Sequence, residues 1–298
     1  MLKVFLLRFV APVFATAIMC ACGSNPEKET KSVDTVAVSK NAELLNIVDE
    51  LLIKLPRPSE IPNLIAMTGA EYEEKLLNPI ENGEKVLGNV SKAAFNIGVF
   101  GADVGYLAAY NKGALAGKIF LVTKKLADKV GVSAAFDPSV VARIEKNLEK
   151  KDSLIQITDA SLAKSASILK GNEQIKDAAL VITGAFVEGL YLNCGLIHDY
   201  PPTGLPKAEQ DKILVPLISS VIKQESALAS VVELLKHVNN NDEVTTMIIT
   251  KLEAALAIYK KADWPKKLAE NKGGLIPTEK DIHELAVAIG ELRNNLTQ

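Results

Sequence analysis

Apolar residues recur along most of this chain at intervals of three and four. In AELLNIVDELLIKL, Leu44, Ile47, Val48, Leu51, Leu52 and Leu55 fall on one face of a helix. Pro56 and Pro58 stop that pattern. Ser59-Glu60-Ile61-Pro62 then opens a short helix through Met67, with Pro62 tolerable in a first turn. The same periodicity predicts helices over 86–110, 113–130, 138–149, 153–169 and 173–196, and again over 208–237, 242–262 and 278–296. Asn111-Lys112-Gly113, Gly131, Asp137-Pro138, Lys151-Asp152, Gly171-Asn172, Asn239-Asn240-Asn241 and Lys272-Gly273-Gly274 separate them. Asp137 before Pro138 is a good N-cap followed by a first-turn proline. HDYPPTGLPK, residues 198–207, reads as a loop.

No long stretch alternates between apolar and polar, so nothing argues for a sheet. Short connections between helices make sequential helices antiparallel neighbours. The expectation is an all-α protein, a multi-helix bundle or an irregular α-solenoid. The helix pairs vary too much in length to match a 34-residue repeat such as the tetratricopeptide. Composition sharpens this picture: 48% of residues are apolar but only 5% aromatic, so Ala, Leu, Ile and Val must fill the core. Such a core suits closely packed helices better than a β-sandwich.

The N-terminus follows a different logic. Lys3 and Arg8 precede an apolar run from Phe9 to Met19, too short for a membrane span and of the length of a secretory h-region. It ends in MCAC, which resembles a lipobox. Cys22 follows the small Ala21, whereas Cys20 follows Met19, so Cys22 is the expected lipidation site. Met19, three residues before it, departs from the usual leucine. The chain therefore divides into a lipoprotein signal peptide over 1–21, a polar tether over 22–39 that is expected to be disordered, and a helical domain over 40–298. Acyl chains on Cys22 imply a membrane anchor in a bacterial envelope. Gly23, rather than an aspartate, after the cysteine favours the outer membrane.

Loss of the leader takes 34 basic residues to 32 against 36 acidic ones, a near balance with no basic patch interleaved with aromatics, so nucleic acid is not an expected partner. Beyond Cys22 only Cys194 remains, which excludes an intramolecular disulfide. Cys194 lies in an apolar run and is expected to be buried and inert, although His198 one helical turn on could in principle serve it as a base. His198, His237 and His283 are widely separated and show no metal-ligand spacing, so no metal and no cofactor are expected. His237 near a helix C-terminus favours the dipole there. The sequence has neither a phosphate-loop lysine motif nor a nucleophile elbow.

Two places invite chemistry. In NIGVFGADVGYLAAY, Gly98, Gly101 and Gly105 share a helix face and predict close approach by a neighbouring backbone. Asp103 lies within that segment and Glu188 within GAFVEGLYL, both in apolar surroundings. Each acid precedes a Tyr-Leu pair by three residues, so Asp103 neighbours Tyr106 and Glu188 neighbours Tyr191 on their helices. The likeness of the two segments is either a faint duplication or chance. A buried carboxylate needs a partner, a cavity or a proton. Asp103, Tyr106, Glu188 and Tyr191 thus form a candidate buried polar site, with either a structural role or an acid–base one. The run from Ala178 to Ile197, interrupted only by Glu188, is expected to be a core helix rather than a membrane span.

IPNLIAMTGAEY, NIGVFGADVGYLAAY, AFDPSVVARIEKN and FVEGLYL resemble segments of an uncharacterised family of all-helical lipoproteins from Gram-negative Bacteroidota. The likeness covers most of the mature chain. It implies an outer-membrane address and an all-α domain, and carries no activity or catalytic residues. The functional expectation is a lipid-anchored envelope protein whose helical domain binds a partner protein or small ligand. The alternatives are an enzyme built on Asp103 and Glu188, and a helical-repeat scaffold.

Overall fold

The computed structural model describes residues 45–298 except 47, 52, 199–205, 263 and 265–278. The leader, Cys22, the tether, most of the 198–207 loop and Lys272-Gly273-Gly274 lie outside the described residues. Within them every regular element is a helix and no strand occurs. The residues described between 45 and 53 are helical. They are followed by α1 (Glu60–Met67), α2 (Asn82–Lys85), α3 (Val90–Ala109), α4 (Gly113–Val130), α5 (Pro138–Glu145) and α6 (Lys151–Gly171). Then come α7 (Ile175–His198), α8 (Lys207–Ile222), α9 (Glu225–Val238), α10 (Glu243–Ala262) and α11 (Glu279–Thr297). Short 3₁₀ turns over Glu74–Leu76 and Ser133–Phe136 link neighbouring helices.

Two helices form the centre. From Ala93 to Ala109 every residue of α3 is buried, and α7 is buried along most of its length. α4, α6 and α1 pack on α3, while α11, α6, α9 and α8 pack on α7. A helix enclosed on all sides has no polar face to present, which is why both read as apolar all round. This arrangement is a bundle around two central helices, not a stack of repeats. By length and composition α7 could cross a membrane, yet 78% of its apolar window is buried inside the domain. It is a core helix.

The two central helices touch through their backbones. A Cβ on Gly98 would overlap the Val181 carbonyl oxygen and crowd the Ala185 nitrogen of α7; one on Gly184 would overlap the Phe95 carbonyl oxygen of α3. Gly101 and Gly105 have other neighbours: Leu162 of α6 packs on Gly101 and Ser59 lies against Gly105. The glycine face therefore meets three different elements rather than one helix.

Local chemistry explains most helix ends. Asn89 caps α3 by accepting from the Lys92 N–H at 2.9 Å, and Asp137 caps α5 through the Ser139 and Val140 N–H groups. Asp242 does the same for α10, accepting from Thr245 N–H at 2.9 Å. Gly131 closes α4 in the left-handed conformation at φ 88°. Five expectations need correction. The helix read over 86–110 begins only at Val90, because the chain before it folds as the separate α2 and Asn89 caps the new start. The helix read over 138–149 ends at Glu145. The helix read over 153–169 extends two residues further at each end as α6, and the one read over 173–196 is shifted two residues toward the C-terminus as α7. The single helix read over 208–237 is two, broken at Lys223-Gln224, where Gln224 is buried and its side chain donates to the Ser220 carbonyl.

Candidate functional site

α3 and α7 bring Asp103 and Glu188 to one place, and α11 adds a residue that the periodicity alone had not singled out. Arg293 donates from Nε to Glu188 Oε2 at 3.0 Å and from Nη2 to Glu188 Oε1 at 3.0 Å, a two-point clamp. Its Nη2 also donates to the Leu76 carbonyl at 3.1 Å, and its guanidinium lies 4.5 Å above the Tyr191 ring. Asp103 accepts from the Asn78 N–H at 3.3 Å. Asp103 and Glu188 are fully buried, and Arg293 is 5% exposed. The network joins α3, α7, α11 and the segment between α1 and α2.

The proton count follows from the contacts. Asp103 Oδ1 has no N–H or O–H partner among the described residues and meets the Glu188 carboxyl group. Burial, and then the charge of Glu188, push the Asp103 carboxyl well above the usual range, outweighing the opposing pull of Arg293. A proton on Asp103 turns an acceptor facing an acceptor into a donor facing one. Burial works against the Arg293 charge, but Glu188 beside it outweighs that and strengthens the guanidinium's hold on its proton. The set is then a neutral acid, a carboxylate and a guanidinium: one negative and one positive charge, each with hydrogen bonds.

Tyr106 and Tyr191 share helix faces with their acids but do other work. The Tyr106 hydroxyl accepts from the Glu73 N–H at 2.9 Å, and its ring lies 5.6 Å from Tyr72 and 4.9 Å from Tyr110. Tyr110 donates to the Ala70 carbonyl at 2.7 Å, and burial pushes its hydroxyl up to about 12. These three rings fasten the 70–73 segment to α3. Tyr191 lies beneath Arg293 instead. Cys194 is fully enclosed, and burial pushes its thiol up to about 12, which removes it as a nucleophile. His198 points elsewhere, its Nδ1 standing 3.2 Å from Nδ1 of His283 on the surface. No group of three metal-ligating side chains occurs among the described residues. The His237 ring nitrogen lies 2.8 Å from the Glu233 carbonyl in the last turns of α9.

Open space lies elsewhere. A groove of about 520 Å³ runs between Leu55–Pro58, α6 and α7. Its floor on α6 is Ala160, Ala163, Ala166 and Ser167, with Val181, Ile182 and Ala185 of α7 beside them. Two causes make it. Alanine leaves a shallow helix face, and Pro56 and Pro58 keep the facing segment from winding into a helix that could fill the gap. Asp159 marks one end, accepting from Ser59 Oγ at 2.5 Å and Ser59 N at 3.3 Å. Burial raises its carboxyl above the ordinary value in spite of those bonds and of nearby Arg57. Lys170, paired with Asp49, marks the other, about three helical turns or roughly 16 Å away. A second cleft of about 760 Å³ lies on the far side of Leu55 and Pro56, against α1, α8 and the start of α9. Neither cleft reaches Asp103, Glu188 or Arg293. Comparison with known protein families, curated proteins and solved structures finds no match to this chain.

Proposed function

We propose that this chain is a lipid-anchored protein of the cell envelope, held at the outer membrane through acylated Cys22, whose helical domain is a binding module rather than an enzyme. The observation that carries the binding reading is the groove of about 520 Å³ lined by alanines and prolines. Its volume lies within the range of small-molecule sites, and its few polar groups gather at the ends of an apolar floor, an arrangement that fixes a ligand's orientation while burial supplies affinity. The ligand class is a small, largely apolar molecule, elongated to match the groove.

One observation favours the enzyme reading. Asp103 is an acid kept protonated beside a carboxylate, the state a general acid requires. Against it stands access: each polar atom of the triad is enclosed, and a substrate would have to displace core side chains to reach it. Native mass spectrometry of the mature chain from its own host's periplasm tests both. A co-purifying mass that disappears in Ala163→Phe and persists in Glu188→Gln is the expected result. Loss in a folded Glu188→Gln with retention in Ala163→Phe would instead support chemistry at the buried acids. A clean unliganded chain would turn the reading toward a protein partner.

A further inference from the structure

Among the described residues, Val90, Leu121 and Val287 are exposed large apolar side chains that line neither cleft. The wider cleft gathers others. Ile53 is 85% exposed and Met67 73%, and with Leu64 they line one edge of it. Isolated exposed apolar residues are ordinary, but a cluster marks an interaction surface. The charges around it are uneven: Lys54, Lys212 and Lys223 line the cleft against a single acid, Glu60. Lys212 pairs with Glu209 at 2.7 Å, whereas Lys54 and Lys223 have no acidic partner among the described residues.

We infer that this face docks on an anionic phospholipid bilayer, with Ile53, Leu64 and Met67 entering the interfacial region and the lysines meeting lipid phosphates. Apolar side chains with ammonium groups on the same face are the combination that holds a helix edge at such an interface. Lys54 and Lys223, with no acidic partner among the described residues, break no ion pair there on meeting phosphates, whereas Lys212 exchanges its contact with Glu209. The geometry permits it, since the chain from Cys22 to Leu45, where the described helical residues begin, can span at most about 80 Å. The setting rests on the lipid-anchored reading, but the contact itself does not need the anchor. Docked this way, the domain would hold the Leu55–Pro56 wall of its groove beside the lipid surface.

The test uses the full mature chain with Cys22→Ser, so that no acyl chain contributes. It is sedimented with phosphatidylcholine vesicles, with and without phosphatidylglycerol. The expected result is partition onto the anionic vesicles alone, weakened about tenfold by high salt. The paired substitution Ile53→Glu/Met67→Glu should weaken partition by about tenfold or more, and Lys54→Glu/Lys223→Glu should do likewise. Val90→Glu/Val287→Glu, which alters exposed apolar residues elsewhere, should bind as the parent does. All these positions are exposed, so circular dichroism should report an unchanged fold. Absence of vesicle binding, equal binding to zwitterionic vesicles, or undiminished binding by Ile53→Glu/Met67→Glu would each overturn the inference. Dimerisation through this face without vesicle binding would also overturn it and make the occupant a second copy. Localisation of a Cys22→Ala chain tests the anchor independently.

Discussion

The interior node of Asp103, Glu188 and Arg293 and the surface segment Leu55–Pro58 are opposite solutions to the placement of polar and apolar groups. At the node three ionisable side chains lie where water does not reach, and they answer one another. At the segment, apolar residues and alanines stand open on both sides of a short proline-rich strip. A polar cluster draws the eye to the first region, yet it already has its partners and holds four parts of the chain together. The second region has little chemistry of its own and is left incomplete. The difference teaches that unsatisfied surface, rather than density of titratable groups, marks where this molecule has work left to do.

The comparison breaks most clearly at Arg293. Arg293→Leu leaves a buried Glu188 carboxylate without its counter-ion, and should cost about 3–5 kcal/mol in denaturant unfolding. Asp103 cannot compensate, because it is already neutral. Glu188→Gln should cost less, since Asp103 can then release its proton and supply the negative charge that Arg293 needs. Next in size is the helix crossing: Gly98→Ala forces α3 away from α7 and should cost about 1–3 kcal/mol by the same measurement.

Asp103→Asn sharpens the contrast through pH. The folded protein keeps the Asp103 proton at pH values where the unfolded chain has released it. The unfolded state then binds fewer protons, so stability falls as pH rises from about 4, the ordinary carboxylate value, toward the raised folded value. Asparagine can still donate to Glu188 and accept from Asn78, but does not titrate. Its unfolding free energy should be flatter than the parent's across that window and no lower near neutrality. An equally steep profile would assign the slope to other groups. The smallest effect belongs to the groove: Ala163→Phe, on an exposed position, should shift stability by no more than about 0.5 kcal/mol while abolishing ligand retention.

Much of the fold was legible in the sequence where punctuation was chemical. α4 runs from Gly113 to Val130 as read, because Asn111-Lys112-Gly113 and Gly131 mark its ends. Lys223-Gln224 carries no glycine or proline, and the turn there is held by a buried glutamine and by packing that only the tertiary structure supplies. Asp103 and Glu188 stood out as acids in apolar runs. Arg293 did not, although a signal existed: Ile282, Leu285, Ile289, Leu292 and Leu296 form the buried stripe of α11, and Arg293 falls on it. An arginine within an apolar stripe asks for a buried acid. The groove was illegible for a different reason, since it is made by what alanine and proline leave empty, and hydrophobic periodicity records only what fills space.

The order of the node along the chain has a consequence for how the protein is made. Synthesis delivers Asp103 first, then Glu188, and Arg293 only 105 residues after Glu188. Until α11 arrives, α3 and α7 can meet at their glycines only by placing two carboxyl groups together with no cation between them. Closing the core at that stage would bury a carboxyl pair without its cation, a cost that falls away once α11 packs. The late arginine thus completes a node that the earlier helices leave open.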